Sequence, residues 1–138
     1  MIIETAALCL AMNVFFESRG EFVPGQYAVA LVTMNRAAQD KSKVCKVVFA
    51  PSQFSWTKDV KTTKAGYILP SYLVNITKAE PDAWRKAKII ANVALKGRIG
   101  DITKGAKFFH TTGVRPSWRL AMVRTKLLGA HQFYRSRA

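Results

Sequence analysis

The sequence predicts a mainly α domain of the α+β kind with a small extended portion, on three observations. Apolar residues recur at three- and four-residue spacing in three separate stretches, proline or glycine brackets the stretches, and one short apolar run lies between two glycines. With 138 residues, 49% of them apolar, the chain suffices for one compact domain and is short for two, so residues 1–138 are read as a single unit.

In order along the chain, Ala7, Leu8, Ala11, Met12, Phe15 and Phe16 form one helical face between Glu4 and Arg19, and Gly20 ends it. Pro24 suits a first helical turn, and Tyr27, Ala30, Leu31 and Met34 carry a second amphipathic helix to about Ala38. VCKVVFAP is a short helix or turn closed by Pro51. Residues 57 to 79, rich in lysine and threonine and holding Gly66 and Pro70, read as an exposed excursion. Pro81 opens a third helix, with Trp84, Ala87, Ile90, Ala91 and Ala94 on one face and Gly97 as terminator. AKFFHT, bounded by Gly105 and Gly113, is an extended segment, and a last helix is expected from an N-cap at Ser117 to Leu128.

The formal charge of +14, from 22 Lys and Arg against 8 Asp and Glu, draws the protein toward polyanions. The bases are spread along the chain without a zinc-finger, phosphate-loop or RNA-binding signature, which ranks nucleic acid below an anionic envelope as partner. MIIETAALCLAMNVFF lacks a basic n-region and carries Glu4, so it reads as a buried helix rather than a signal sequence, and no other stretch has the apolar length of a membrane span. The chain is therefore expected to be made in the cytoplasm without an export address of its own. Cys9 and Cys45, with His110 and His131 distant, lack zinc-ligand spacing, and no metal or cofactor is expected. The two cysteines are either buried thiols or one disulfide formed in an oxidising compartment.

Two of the few acids fall in FFESRGEFVPGQ. Glu17 sits in the last turn of the first helix, where the helix dipole opposes negative charge, and behind two phenylalanines that strip it of water. Both effects raise its pKa, the condition of a general acid near neutral pH; the plain alternative is a surface glutamate paired with Arg19 or a lysine. Glu21, beyond the Gly20 break, suits a supporting or capping role at the second helix, with Arg19 neutralising one of the two acids.

These blocks resemble the SleB-type cell-wall hydrolases, a family that includes spore-cortex-lytic enzymes and phage lysins. ALCLAMNVFFESRGE is similar to the family's helix ending in Glu-Ala-Arg-Gly-Glu, with Ser18 for alanine. GQYAVALVTMNRA, VCKVVFAPSQFSWT, GAKFFHT and GAHQFYR match four further blocks in order. The resemblance implies a lysozyme-like, lytic-transglycosylase-like fold, cleavage of the peptidoglycan glycan strand, and Glu17 as the essential acid.

Under that resemblance Gln53 and Ser55, in a turn after Pro51, suit recognition of N-acetyl and hydroxyl groups, against an ordinary polar turn. Of Phe109 and His110, alternation along an extended segment sends one to the cleft and the other inward, with His110 a sugar contact rather than a catalyst. Tyr27 reads as core, His131 with Phe133 and Tyr134 as fastening the C-terminal segment to the domain, and Asn35 and Arg36 as near the site or at a helix end. The expected protein is a monomeric, cofactor-free lytic transglycosylase in a phage-type endolysin context, acting on the cell wall after release. A hydrolytic muramidase, and a non-enzymatic basic protein binding envelope or nucleic acid, are the rivals.

Overall fold

The computed structural model describes residues 1–137. Helices α1 (Ala6–Ser18), α2 (Val23–Arg36), α3 (Val44–Val48), α4 (Ser71–Ala79) and α5 (Pro81–Leu95) make the body. Two three-stranded antiparallel sheets flank it. The first orders β1 (Ile2–Ile3), β3 (Gly66–Ile68) and β2 (Lys61–Thr63), with β3 central; the second places β6 (His131–Ser136) between β4 (Phe108–Thr111) and β5 (Met122–Leu128).

Helix α1 starts where Thr5 caps it, its side chain accepting from the Leu8 N–H at 3.2 Å. Cys9, Leu10, Met12, Val14 and Phe15 are fully buried against α2, α3 and α5. Phe15 meets Trp84 of α5 edge-to-face with ring centroids 5.9 Å apart, and burying a side chain of that size stabilises by roughly 2–3 kcal/mol. The apolar N-terminal stretch is thus core of the domain. A Cys9–Cys45 disulfide ties α1 to α3, resolving the two alternatives for the cysteines.

Helix α2, with Pro24 in its first turn, is buried on two sides. Ala30 and Met34 join the helical core, while Ala28, Val29 and Val32 join Ala106 and Phe133 in a second cluster under the β4–β6–β5 sheet. This double burial makes α2 the beam to which that sheet is fixed. Helix α5 ends at Leu95, and Gly97 at φ +65° supplies the left-handed stop expected there.

Two expectations are corrected. Residues 57 to 79 are not simply an excursion: the exposed hairpin of β2 and β3 pairs with the N-terminal strand, and α4 buries Leu73 and Thr77. The segment 117–128 is not a helix but a 3-10 turn (Ser117–Ala121) followed by β5, which forms a hairpin with β6. Gly129 and Ala130 make its two-residue turn, glycine first at φ +56°, a geometry matched to strand twist.

Candidate active site

Glu17, one residue from the C-terminal end of α1, is the point where three depressions meet. The main cleft, of about 590 Å³, is walled by Val32 and Arg36 of α2, by the 52–54 loop, and by Phe108, Phe109, His110, Trp118 and Met122 of the C-terminal sheet region. A neighbouring hollow, larger at about 750 Å³, adds Phe49, Ser55, Thr57 and Lys58, and a third is lined by Arg19, Glu21, Glu80 and His131.

Burial raises the Glu17 carboxyl from its model-compound value of 4.5 to about 7. The ion pairs among the described residues are Arg19–Glu80, Arg85–Asp82 and the histidine-dependent His131–Glu21; none uses Glu17. The expectation that Arg19 neutralises Glu17 or Glu21 is therefore corrected: its Nε donates to Glu80 at 2.9 Å, and its guanidinium lies 4.6 Å from the Phe15 ring centre. Glu17 is left as a protonatable group on a rigid helix, facing open space.

Behind it runs a buried polar relay. Trp56 Nε1 donates to Asn13 Oδ1 at 2.9 Å, and Asn13, fully buried one turn before Glu17, reaches Thr33 Oγ1 of α2 at 3.5 Å. Trp56 also stacks on Phe16 at 4.8 Å, so the loop after Pro51 is held to the helix that carries the acid.

Glu21 occupies the third depression but is not free. Its Oε1 accepts from the Ala130 N–H at 2.7 Å and lies 3.7 Å from His131 Nδ1, while its backbone carbonyl accepts from the Gln26 side chain at the start of α2. The supporting contact expected of it is seen, but not the cap: the N-cap of α2 is Phe22, and no side chain caps that helix. His131 is buried, and burial lowers its pKa while the Glu21 charge opposes that. With Phe133 it fastens β6 to the body as anticipated.

Gln53 lies on the main cleft, and Arg36 donates a short hydrogen bond to its Oε1, leaving the amide NH₂ free to meet a ligand. Arg36 itself lies 5.8 Å from the Phe108 ring centre. Ser55 is exposed in the neighbouring hollow and does not line the main cleft. Phe109 and His110 point to opposite faces of β4: Phe109 packs inward on Phe133 and Phe54, and His110 lies by Trp118 and Tyr134. Edges of both reach the cleft. His110 Nδ1 sits 2.7 Å from the Thr111 carbonyl, which can only accept, so in the neutral ring Nε2 accepts from the Tyr134 hydroxyl at 2.7 Å. These two hydrogen bonds fix the orientation of the His110 ring in the cleft wall. Tyr27 packs on the core. Asn35 does not reach the cleft; it donates to Asp101 and to the Ala106 carbonyl, both at 2.9 Å, and so positions the loop that delivers β4.

Phe54, Phe108 and Trp118 line the cleft without having been singled out from sequence. Phe54 lay between the two polar residues that drew attention, and Trp118 fell in the segment read as helix. Together they supply apolar faces suited to the C–H surfaces of sugar rings, beside polar groups that fix orientation.

A family model described as cell wall hydrolase matches residues 20–134. The matched span opens three residues after Glu17, so the assignment of the acid rests on the cleft. The fold is similar to the catalytic domain of the germination-specific lytic transglycosylase SleB from Bacillus anthracis, with TM-score 0.65, 24% identity, and 96% of each chain covered. It is also similar to the catalytic domain of the Bacillus cereus SleB protein, with TM-score 0.63 and 26% identity over 94% of this chain and 90% of that one. No protein of curated function matches it significantly.

Proposed function

The chain belongs to the cell wall hydrolase family, and from that premise we propose that it cleaves peptidoglycan between N-acetylmuramic acid and N-acetylglucosamine as a lytic transglycosylase. The observation that carries this reading is the isolation of Glu17. Among the described residues it is the sole carboxylate lining the main cleft and the adjoining hollow, and burial raises its pKa to about 7, so a large share keeps its proton near neutral pH. The other acids beside it are engaged, Glu21 with Ala130 and Glu80 with Arg19. An inverting hydrolase needs a second free carboxylate about 6.5–9.5 Å from the acid, and a retaining one needs it at about 5–5.5 Å. A transglycosylase needs one group twice.

In the proposed reaction the Glu17 carboxyl donates its proton to the glycosidic oxygen as the bond from that oxygen to muramic acid C1 breaks, giving an oxocarbenium-like centre. The resulting carboxylate then takes the proton of the muramic acid 6-hydroxyl, whose oxygen closes on C1. The products are a 1,6-anhydromuramoyl end and a free 4-hydroxyl, and Glu17 is again protonated. Gln53, steered by Arg36, presents its NH₂ to an N-acetyl carbonyl, and Phe54, Phe108 and Trp118 take the ring faces. No water enters the bond-breaking step.

Digested sacculi analysed by mass spectrometry test this directly. Muropeptides one water lighter than hydrolytic products, and inert to borohydride, are expected. Reducing ends that incorporate labelled solvent oxygen would identify a hydrolase, a muramidase or a glucosaminidase, with Glu21 the first candidate for its base. Failure to clear outer-membrane-stripped cells would leave only the basic binding protein.

The setting proposed is a monomeric phage-type endolysin that acts at the wall. The Cys9–Cys45 disulfide supports action in an oxidising compartment, and the +14 charge supports adsorption to an anionic envelope rather than to nucleic acid.

A further inference from the structure

We propose that a depression beside the cleft, lined by Arg115, Arg119 and Arg124, is a subsite for the carboxylates of an acidic peptide stem branching from the glycan; this rests on the glycan-cleaving reading above. The hollow measures about 300 Å³ and shares His110 with the main cleft as a common wall, so whatever fills it lies within reach of a strand held against Glu17.

Its charge is uncompensated. Among the described residues no carboxylate lines it and none of its arginines takes part in an ion pair, and from residue 102 onward the sequence carries eight lysines and arginines and no acidic side chain. A region with no internal partner for its cations is built to receive anions from outside. The Arg119 guanidinium is held in place: Nη1 donates to the backbone carbonyls of Pro116 at 3.2 Å and Arg115 at 3.5 Å, which leaves its other N–H groups for a ligand. Guanidinium forks match carboxylates two bonds at a time.

The remaining lining chooses between anions. Val114 and Leu127, 51% and 59% exposed, stand beside the arginines and offer contact to the alkyl parts of amino acid side chains. A phosphate polymer has no use for them. The position, one histidine away from the glycan path, likewise suits a short branch on the strand.

The experiment compares kcat/KM on glycan strands that keep their peptide stems with strands stripped of stems by an amidase. For R115Q/R124Q the ratio of the two values should fall about tenfold against wild type, and R115K/R124K should recover part of it. Both positions are exposed, and thermal melting of each variant checks that the fold is kept. Stems whose carboxylates are amidated should reproduce the loss on the wild-type enzyme. An unchanged ratio, or equal loss on both strands, overturns the proposal. So does an unchanged ratio with weakened adsorption to walls rich in phosphate polymer, which would make the depression a wall anchor. If wild-type protein cleaves neither strand, the glycan-cleaving reading falls first, and this one with it.

Discussion

Glu21 Oε1 accepts a hydrogen bond from the backbone N–H of Ala130 at 2.7 Å, across 109 residues of chain. A Cβ placed on Gly129 would lie 2.7 Å from that same oxygen, and the φ of +56° there favours glycine in its own right, so a side chain in the turn would be strained and would push the Glu21 carboxylate aside. Glu21→Ala hands the exposed Ala130 N–H to water and is expected to cost about 0.5–1.5 kcal/mol, while Glu21→Gln keeps an acceptor and costs under half as much. Urea unfolding measures both. An alanine variant as stable as wild type would show that the clasp contributes nothing.

Glu17→Gln keeps the shape of the acid but not its proton. Cleavage of sacculi should fall on the order of a hundredfold or more, about 2.7 kcal/mol of barrier, with adsorption to sacculi unchanged. In the wild type, kcat/KM should decline as pH rises through about 7, where the acid ionises. Near-normal lysis by the variant, or a profile flat from pH 5 to 9, would remove Glu17 from the mechanism.

The same shift bears on stability. Because the folded-state pKa is about 7 against 4.5 for an unburied carboxyl, the folded protein holds the proton more tightly. The penalty for burying the charge is absent below pH 4.5, grows as pH rises, and is complete above about 7. Glu17→Gln should therefore be the more stable protein at pH 8, by of order 2 kcal/mol after discounting for the open cleft, and should match wild type near pH 4. Denaturant midpoints at the two pH values decide it; an advantage equal at both would point to a cause other than ionisation.

The Cys9–Cys45 disulfide spans 36 residues, and the loop it closes is worth about 4 kcal/mol in the chain-entropy account. Reduction should lower Tm by several degrees or more, since Cys9 is fully buried in the helix that carries the acid. Calorimetry with and without reductant measures the difference. Equal Tm values would mean that packing alone fixes α1 on α3.

With a formal charge of +14, adsorption to sacculi should weaken steeply as salt rises from tens to hundreds of millimolar, the range over which the screening length falls below about 10 Å. Cleavage of a short neutral glycan should change little. Equal salt sensitivity of the two would locate the charge effect inside the cleft.

The helical body was legible in the sequence because its signals are local: Pro24 and Pro81 at first turns, Gly97 at a stop, and apolar spacing in α1, α2 and α5. Glu17 was legible for the same reason, since the helix end and the two phenylalanines adjoin it. The β5 segment was not. A register shift between Arg124 and Lys126 breaks the alternation that marks a strand, and Leu127 and Leu128 then mimic a helical face. The Gly129-Ala130 turn between two runs was the available signal. Arg19 was misassigned because its partner Glu80 is 61 residues away, and the poise of Gln53 depends on Arg36 from another element. Such pairings are properties of the fold.

β6 follows β4 and β5 in sequence yet lies between them. The outer wall of the cleft therefore cannot assemble until residues 131–136 have left the ribosome, whereas the helix bearing Glu17 emerges well before them. Making the acid and making the groove are separated in time by the synthesis of everything between α1 and β6. A wall-cutting protein built in this order carries its chemistry through synthesis without a place for the substrate to sit.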